Sequence, residues 1–553
     1  MLGRIVLLLL FGFESATFSA AARPFVQTHL GGIVGYHKVS FGGRRYEAYE
    51  GIPYALPPIG ERRFQPPELV RKWMGNLTAT KSPSPCIQYH HEHLNYRVLG
   101  TEDCLYLSVY VPTEINGSHP LPVIFTIHGG AFQFGSALAG ARFLMDRDVI
   151  VVGINYRLGP FGFLSTEDDG VVPGNMGLKD QSAALRWTSE NIRHFGGDPE
   201  RITLIGYSAG GASVHFHYLS PMSRGLFRNG LSFSGTGFGP GKHCENSRDK
   251  ARKLAAALGC PTESTREAIE CLRYRPSRTI SEATKNFMPW LYNPFTPFGP
   301  VIEAVGDEPF MNRSAAEIID SGDVADLLWI TGVVSEDGLY PIAEFINDED
   351  LLADLDKNWE TIAPHLLDFN YTVPLDEHAS VARSIRSHYF GTKPIDKRTT
   401  KELIAMTGDR LYAVDGEKAA KAQAKVNKSS VLFWYYSYRA LTSASDLLSD
   451  TMDNYGVSHS DDIGMVFENN FMYPPMNARD RAMQIKLIDL VVSVAEKGYP
   501  DLNLDFEWER VDPSKEELDY LHIAGPEVIK MESKANMGQK HFWSTIDFDE
   551  NKL

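Results

Sequence analysis

The sequence has few basic residues for its length, no internal repeat and, beyond the N-terminus, no long apolar run. Its 553 residues include 54 Lys and Arg against 70 Asp and Glu, a formal net charge of −16. This acidic balance disfavours polyanionic partners, so nucleic acid is not expected as a ligand. Metal-binding clusters and a phosphate-cradling glycine loop are also missing, so we expect no metal and no other cofactor. The hydrophobic fraction of 43% suits a globular protein with a large core.

One long apolar run is present, and it lies at the N-terminus of the chain. Residues 1–22 contain a lone Arg4, an apolar stretch at residues 5–13 and three alanines at the end. The run is too short to span a bilayer and is typical of a secretory signal peptide, whereas a buried N-terminal helix would lack a cap. We therefore expect a signal peptide over residues 1–22, a secreted, extracellular protein over residues 23–553, and no membrane anchor.

The motif Gly-Tyr-Ser-Ala-Gly at residues 206–210 is the most informative stretch of the chain. It follows residues 202–205, which predict a buried strand, and precedes residues 212–219, which are compatible with a helix. Between a strand and a helix, Gly-x-Ser-x-Gly puts the serine on a strained turn, with the helix amides directed at its hydroxyl. In a chain with 47 glycines the motif also arises by chance, so its flanks must decide whether Ser208 is a nucleophile.

Two flanking stretches carry a family resemblance. Residues 191–199, NIRHFGGDP, stop a helix at paired glycines and start a turn, and residues 102–112, EDCLYLSVYVP, look like a second signature. With the serine motif they resemble the type-B carboxylesterase and cholinesterase family of α/β-hydrolases. The resemblance implies one domain over residues 23–553 with the α/β-hydrolase fold: a central, mostly parallel sheet, helices on both faces, and helical cap insertions over an active-site gorge.

Alternating strand-like and helix-like segments favour the same α/β class. Short Val- and Ile-rich runs predict strands buried on both faces, and longer segments have helical spacing. We expect strands at residues 122–127, 149–155, 231–234, 328–334 and 431–436, helices at residues 175–192 and 400–426, and a small antiparallel sheet at residues 32–49.

The resemblance implies a catalytic triad in the order serine, acid, histidine. Ser208 is the expected nucleophile, and His459 is the expected base because it alone among 17 histidines lies in a loop like that of the family, followed by strand-like residues 465–467. The alternative for His459 is an ordinary surface or core histidine. The family's acid stands directly before a glycine, which selects Asp337 over Glu336. Glu336 would then be a solvated or gorge-lining charge.

A tetrahedral oxyanion needs preorganised N–H donors. Residues 128–132, HGGAF, look like the family's oxyanion-hole loop, which implies donors at the amides of Gly130, Ala131 and Ala209. The alternative is a glycine turn without function. Ser234 and Asp462 match positions that form a polar network behind the triad in cholinesterases, although a simple buried hydrogen-bonding role is equally consistent.

Five cysteines and five sequons belong to the expected secreted context. The resemblance pairs Cys86 with Cys104 and Cys260 with Cys271, and leaves Cys244 as an inert free thiol or an intermolecular bridge. Candidate glycosylation sites on the surface are Asn76, Asn116, Asn312, Asn370 and Asn427.

The expected activity is hydrolysis of a small-molecule carboxylic ester through an acyl-enzyme, by a monomer or a homodimer. Cholinesterases have a tryptophan between their first two cysteines and a glutamate before the nucleophile; here residues 86–104 contain no tryptophan and Tyr207 replaces the glutamate, which disfavours that activity. Juvenile hormone esterase is an alternative, weakened by Tyr207 where that group usually has glutamine. A non-catalytic adhesion or binding ectodomain is the alternative from another class.

Overall fold

Eleven strands form one sheet in the computed structural model, which describes residues 23–91, 96–115, 119–137, 140–303, 306, 308–468 and 477–551. The strands are β1 (Phe25–Thr28), β2 (Gly31–Val34), β3 (Tyr36–Val39), β4 (Arg45–Pro53), β5 (Asn76–Thr78), β6 (Gln88–His90), β7 (Arg97–Leu99), β8 (Tyr106–Pro112), β9 (Leu121–Ile127), β10 (Ile150–Ile154), β11 (Gly197–Tyr207), β12 (Asn229–Phe233), β13 (Leu328–Val334), β14 (Val431–Tyr436), β15 (Leu518–Gly525) and β16 (Val528–Lys534). The signal peptide expected at residues 1–22 lies outside the described residues.

The α-helices alternate with the strands and fill the long insertions. They are α1 (Gly159–Phe163), α2 (Met176–Asn191), α3 (Ala209–Leu219), α4 (Ser247–Ala257), α5 (Thr265–Tyr274), α6 (Ser277–Glu282), α7 (Ala315–Asp320), α8 (Leu339–Ile342), α9 (Glu349–Lys357), α10 (Trp359–Leu366), α11 (His378–Tyr389), α12 (Thr400–Gly408), α13 (Val414–Val426), α14 (Ala444–Leu448), α15 (Asp461–Gly464), α16 (Ala478–Lys497) and α17 (Lys540–Trp543). A π-helical turn, Asp409–Ala413, joins α12 to α13, so the segment predicted as helix at residues 400–426 is irregular at its centre.

The order of the large sheet is β16-β15-β14-β13-β12-β11-β9-β10-β8-β4-β3. The seven strands from β10 to β15 in this order run parallel, and the flanking pairs are antiparallel. In register, Tyr207 of β11 pairs with Phe233 of β12, which pairs with Gly332 of β13. Because parallel strands end at the same edge of a sheet, the segments that follow β11, β12 and β13 meet there.

The parallel strands are buried on both faces, as their apolar sequences predict. Alternate side chains of β9 enter different cores: Val123 and Phe125 pack in the same core as Val214 of α3, and Ile124 in the same core as Leu487 of α16. Helices α8 to α12 pack in a third core, to which Leu448 of α14 and Trp543 of α17 also contribute, whereas α4 to α7 pack in the same core as α3. The mostly parallel sheet between helical layers is the architecture expected from the sequence.

The prediction for residues 32–49 was wrong in one respect, because the segment is divided between two sheets. Strand β2 pairs with β1 antiparallel and with β5 parallel in a three-stranded sheet. Strands β3 and β4 form a hairpin that extends the edge of the large sheet instead. The glycine turns read from the sequence do not reveal which sheet a short edge strand joins.

Both expected disulfides are present, between Cys86 and Cys104 and between Cys260 and Cys271. Cys244 is free and buried, which favours the inert thiol over an intermolecular bridge. Among the described sequon asparagines, two are exposed (Asn76 and Asn312) and two are half-buried (Asn370 and Asn427), while Asn116 lies outside the described residues. Across the described ranges, no helix is long and apolar enough to cross a bilayer.

Candidate active site

Ser208 occupies a strained turn between β11 and α3. Its backbone has φ 56° and ψ −125°, a conformation that non-glycine residues rarely adopt, and its amide donates to the carbonyl of Phe233, with an N···O distance of 2.7 Å. The strand and the helix cross so closely that a Cβ on Gly206 would lie 2.1 Å from the carbonyl oxygen of Gly210. A Cβ on Gly210 would lie 2.1 Å from the carbonyl oxygen of Ile127. The motif therefore forms the strand, sharp turn and helix expected from the sequence.

Asp337 and His459 are brought together by a hydrogen bond of 2.7 Å between Asp337 Oδ1 and His459 Nδ1. The second carboxylate oxygen accepts from the Ser234 hydroxyl at 2.9 Å and from the Val334 amide at 3.0 Å. Both Asp337 and His459 are buried. Because an ionised carboxylate only accepts hydrogen bonds, it holds the proton of the neutral imidazole on Nδ1 and leaves Nε2 as an acceptor.

Ser208 lies at the same sheet edge as this pair. Its amide binds the last residue of β12, and the next residue along, Ser234, binds Asp337 after β13. Ser208, Ser234 and Asp337 thus follow three neighbouring strands. Within the described residues, no hydrogen bond joins the Ser208 hydroxyl to His459, whose buried Nε2 has no partner. Such contacts often tighten only when substrate binds.

Two tyrosine rings pack on the His459 ring, and sequence reasoning did not find either of them. The ring centroid of Tyr412 lies 4.6 Å from that of His459, and the centroid of Tyr340 lies 5.8 Å away. Tyr412 belongs to the π-helical turn, which sequence periodicity does not reveal. Tyr340 follows Asp337 by three residues, a spacing that could have drawn attention to it.

Glu336 is half-buried and has a contact that the sequence did not predict. Its carboxylate accepts from the Val457 amide at 2.8 Å, and its own amide donates to the Val457 carbonyl at 3.2 Å. Glu336 therefore contacts the loop that carries His459. Residues 465–467, expected to be strand-like, form a turn and bend after α15, because a short apolar run does not by itself specify a strand.

The two residues expected behind the triad differ in their contacts. Ser234 binds Asp337 directly. Asp462 is buried and accepts from the Ile463 amide at 2.8 Å, but among the described residues it shares no hydrogen bond with Ser208, Asp337 or His459. Burial, followed by the negative charge of Asp337, raises the pKa of Asp462 to about 7. The charge of Asp337 thus acts on Asp462 without a hydrogen bond between them.

The loop at residues 128–132 has three consecutive residues with positive φ: 104° at Gly130, 52° at Ala131 and 60° at Phe132. A Cβ on Gly129 would lie 3.0 Å from Ser208 Cβ, which places the loop directly against the serine. Within the described ranges, the amides of Gly130, Ala131 and Ala209 have no hydrogen-bond acceptor. Free amides next to a serine hydroxyl are what an oxyanion would need.

No group of three or more His, Cys, Asp or Glu side chains in the described part of the chain has an arrangement that could hold a metal ion.

Comparisons with known proteins agree with this geometry. Residues 22–543 match the model of the carboxylesterase family. The chain is 50% identical to venom carboxylesterase-6 of Apis mellifera over the whole of both chains, and 32% identical to juvenile hormone esterase of Tribolium castaneum over 96% of this chain and 95% of that one. Among solved structures, juvenile hormone esterase from Manduca sexta with OTFP covalently attached superposes with a TM-score of 0.81 at 26% identity, covering 95% of this chain and 99% of that chain. The α/β-hydrolase fold is thereby confirmed.

The close crossing of β11 and α3 predicts that alanine substitutions at Gly210 and Gly416 have very different effects on thermal stability. Gly210→Ala should cost more than about 3 kcal/mol of stability, because the new Cβ meets a backbone carbonyl that cannot move aside. Gly416→Ala is the control: it lies in α13, where the Cβ meets only side-chain atoms at 3.5 Å or more, so the variant should be unchanged or slightly stabilised. Thermal unfolding of the purified variants measures both. Equal midpoints for the two variants would contradict the close crossing.

The raised pKa of Asp462 predicts a pH-dependent stability. The folded state holds the proton up to about pH 7, whereas an ordinary aspartate loses it near 3.8, so this carboxyl's contribution is complete at low pH and is lost as pH rises between these values. Asp462→Asn removes the titration and keeps an oxygen for the Ile463 amide. The thermal midpoint of the variant should therefore increase relative to wild type as pH is raised from 4 to 8. If the difference in thermal midpoint between the variant and wild type does not change with pH, the raised pKa of Asp462 is contradicted.

Proposed function

Since this chain belongs to the carboxylesterase family and is a carboxylic ester hydrolase, we propose that it works through a triad of Ser208, His459 and Asp337. The observation that carries the proposal is the hydrogen bond between Asp337 and His459 Nδ1, located beside the strained turn of Ser208. A serine hydroxyl is a weak nucleophile at neutral pH, so it needs a base, and the base needs an orienting acid. The three residues supply these roles.

In the proposed reaction, His459 Nε2 takes the proton of the Ser208 hydroxyl while Oγ forms a bond to the ester carbonyl carbon. Asp337 stabilises the imidazolium that results. The tetrahedral intermediate then collapses: the bond to the alcohol oxygen breaks, and the alcohol leaves with the proton from His459. A water molecule attacks the acyl-enzyme in the same way, which releases the carboxylic acid and returns the proton to Ser208.

The negative oxygen of the intermediate is proposed to be bound by the amides of Gly130, Ala131 and Ala209. Removal of one such donor typically raises the activation barrier by about 3 kcal/mol. A gain of this size explains why the strained backbone around Ala131 is retained. The first turn of α3 adds the positive end of its dipole beside Ser208.

The proposed substrates are small carboxylic esters. Identity of 50% to venom carboxylesterase-6, against 32% to the juvenile hormone esterase of Tribolium castaneum, favours a general carboxylesterase over a juvenile hormone esterase. The alternative of a non-catalytic binding ectodomain is disfavoured by these relatives and by the contact between Asp337 and His459, because a binding module has no need to orient a buried imidazole.

We further propose that the protein is made with a signal peptide at residues 1–22 and secreted as a single-domain monomer or homodimer. The two disulfides support an oxidising compartment. Asn76 and Asn312 are exposed and suit N-glycosylation without rearrangement.

The first test of the triad is Ser208→Ala. Hydrolysis of p-nitrophenyl esters should disappear, because Oγ is the proposed nucleophile, while the thermal midpoint stays close to wild type. A labelled fluorophosphonate should modify the wild-type protein at Ser208 and leave the variant unlabelled; Ser544→Ala, at an exposed serine, is the control that should label normally. Turnover by a clean Ser208→Ala preparation would place the nucleophile elsewhere, and a wild-type protein that does not label would support the binding ectodomain.

The second test separates Asp337 from its neighbour Ser234. Asp337→Asn removes the charge that stabilises the imidazolium and should lower kcat by about 10⁴. Ser234→Ala removes only one neutral donor from Asp337 and should lower kcat by less than about tenfold. Steady-state kinetics at equal folded concentration compare the two. If Asp337→Asn retains activity similar to that of Ser234→Ala, the acid of the triad is a different residue.

A further inference from the structure

The two peptide N–H groups that directly precede His459 are both bound by carboxylates. The Val457 amide donates to Glu336 Oε2 at 2.8 Å, and the Ser458 amide donates to Asp461 Oδ2 at 2.8 Å. Among the described residues, neither carboxylate shares a hydrogen bond with the imidazole, which binds Asp337. From this arrangement we propose that Asp461 and Glu336 are positioning residues that clamp the backbone before His459; the proposal rests on the function proposed above.

Asp461 connects the histidine loop to a second segment of the chain. Besides the Ser458 amide, its carboxylate accepts from the Ser443 hydroxyl at 2.7 Å and from the Ala444 amide at 2.8 Å. Ser443 is the N-cap of α14, so it is itself fixed by helix capping. Asp461 is 3% exposed. A buried carboxylate is costly unless donors surround it, and here three donors are supplied, one of them from the histidine loop.

Glu336 ties the same loop to the end of β13. Its amide donates to the Val457 carbonyl, and Glu336 and Ser458 form a parallel β-bridge. Gly456 makes room for the Glu336 side chain, because a Cβ there would lie 2.4 Å from the carboxyl carbon. The loop is thus held on one side by the sheet, through Glu336, and on the other side by α14, through Asp461.

Packing by the Tyr412 and Tyr340 rings limits the tilt of the His459 imidazole, but among the described residues its side chain makes one hydrogen bond, to Asp337 Oδ1. Ser460, the residue after it, has φ 76° and precedes α15. The position of Nε2 therefore depends on the backbone at residues 457–459. A displacement of about 1 Å at a reacting group can cost about 100-fold in rate.

Replacement by the corresponding amide should break a backbone hydrogen bond of Asp461 but keep that of Glu336. Asp461→Asn and Glu336→Gln therefore form a matched pair of variants. Both oxygens of Asp461 accept from backbone N–H groups, so Asn must direct its NH₂ at one of them. The contacts of Glu336 use Oε2 alone, so Gln retains the bond to Val457 by presenting its oxygen. Glu336→Ala removes that bond altogether.

The experiment is steady-state kinetics on four variants of the full secreted protein with a p-nitrophenyl ester, at equal folded concentration. Asp461→Asn and Glu336→Ala should each lower kcat by about 10- to 100-fold with KM changed less than about threefold, because the clamp orients the base and does not bind substrate. Glu336→Gln should stay within about threefold of wild type. Asp480→Asn is the control: Asp480 is equally buried and accepts from Tyr438, but it does not contact the histidine loop, so kcat should not change.

The possible outcomes distinguish three cases: a failure of the clamp proposal, a failure of the proposed triad, and a loss of activity caused only by lower stability. Wild-type kcat in Asp461→Asn and Glu336→Ala, alongside an inactive Ser208→Ala, overturns the clamp and leaves the triad in place. Losses of kcat that follow the thermal midpoints of all four variants, Asp480→Asn included, also overturn it. If Ser208→Ala remains active, the triad itself is wrong.

Discussion

The close crossing of β11 and α3 at Ser208 is the constraint on which the rest of the site depends. The turn is possible only because Gly206 and Gly210 let two backbones meet where a Cβ would lie 2.1 Å from a carbonyl oxygen. The same crossing brings the first turn of α3 and the loop around Gly130 against the serine. Strain at Ser208 and at Ala131 is tolerated because the sheet, with cores on both faces, fixes the surrounding backbone.

The second constraint is the strand order, which converts distant sequence positions into neighbours. Ser208, Ser234 and Asp337 follow β11, β12 and β13, and these three strands are adjacent and parallel. His459 comes from outside this set. It is carried by a loop between α14 and α15, and so its position depends on side-chain contacts more than that of the three residues that follow the sheet strands.

The sequence predicted the strands and the serine turn, and a family resemblance pointed to His459, but neither revealed the tertiary contacts that surround this histidine. Strands such as Leu328–Val334 and the serine turn could be predicted because buried parallel strands are apolar throughout and the glycines report a close approach. The rings on His459 could not, because Tyr412 reaches the site from a π-helical turn about 200 residues after Ser208. The contact of Glu336 with the Val457 amide was missed for a related reason: the sequence does not show which distant backbone a half-buried carboxylate will meet.

The pairing of Glu336 with Val457 also bears on how Asp337, the acid of the proposed triad, reaches the imidazole. An aspartate side chain is one methylene shorter than that of glutamate, yet the carboxylate of Asp337 lies 2.7 Å from His459 Nδ1. The histidine loop lies close to the end of β13 because Glu336 exchanges hydrogen bonds with Val457 through both its amide and its carboxylate. Because the loop is held this near to the strand, the distance from the backbone of residue 337 to the imidazole of His459 is short. In the proposed triad the two adjacent carboxylates have complementary roles: Glu336 holds the histidine loop near β13, and Asp337 then reaches the imidazole that it is proposed to orient.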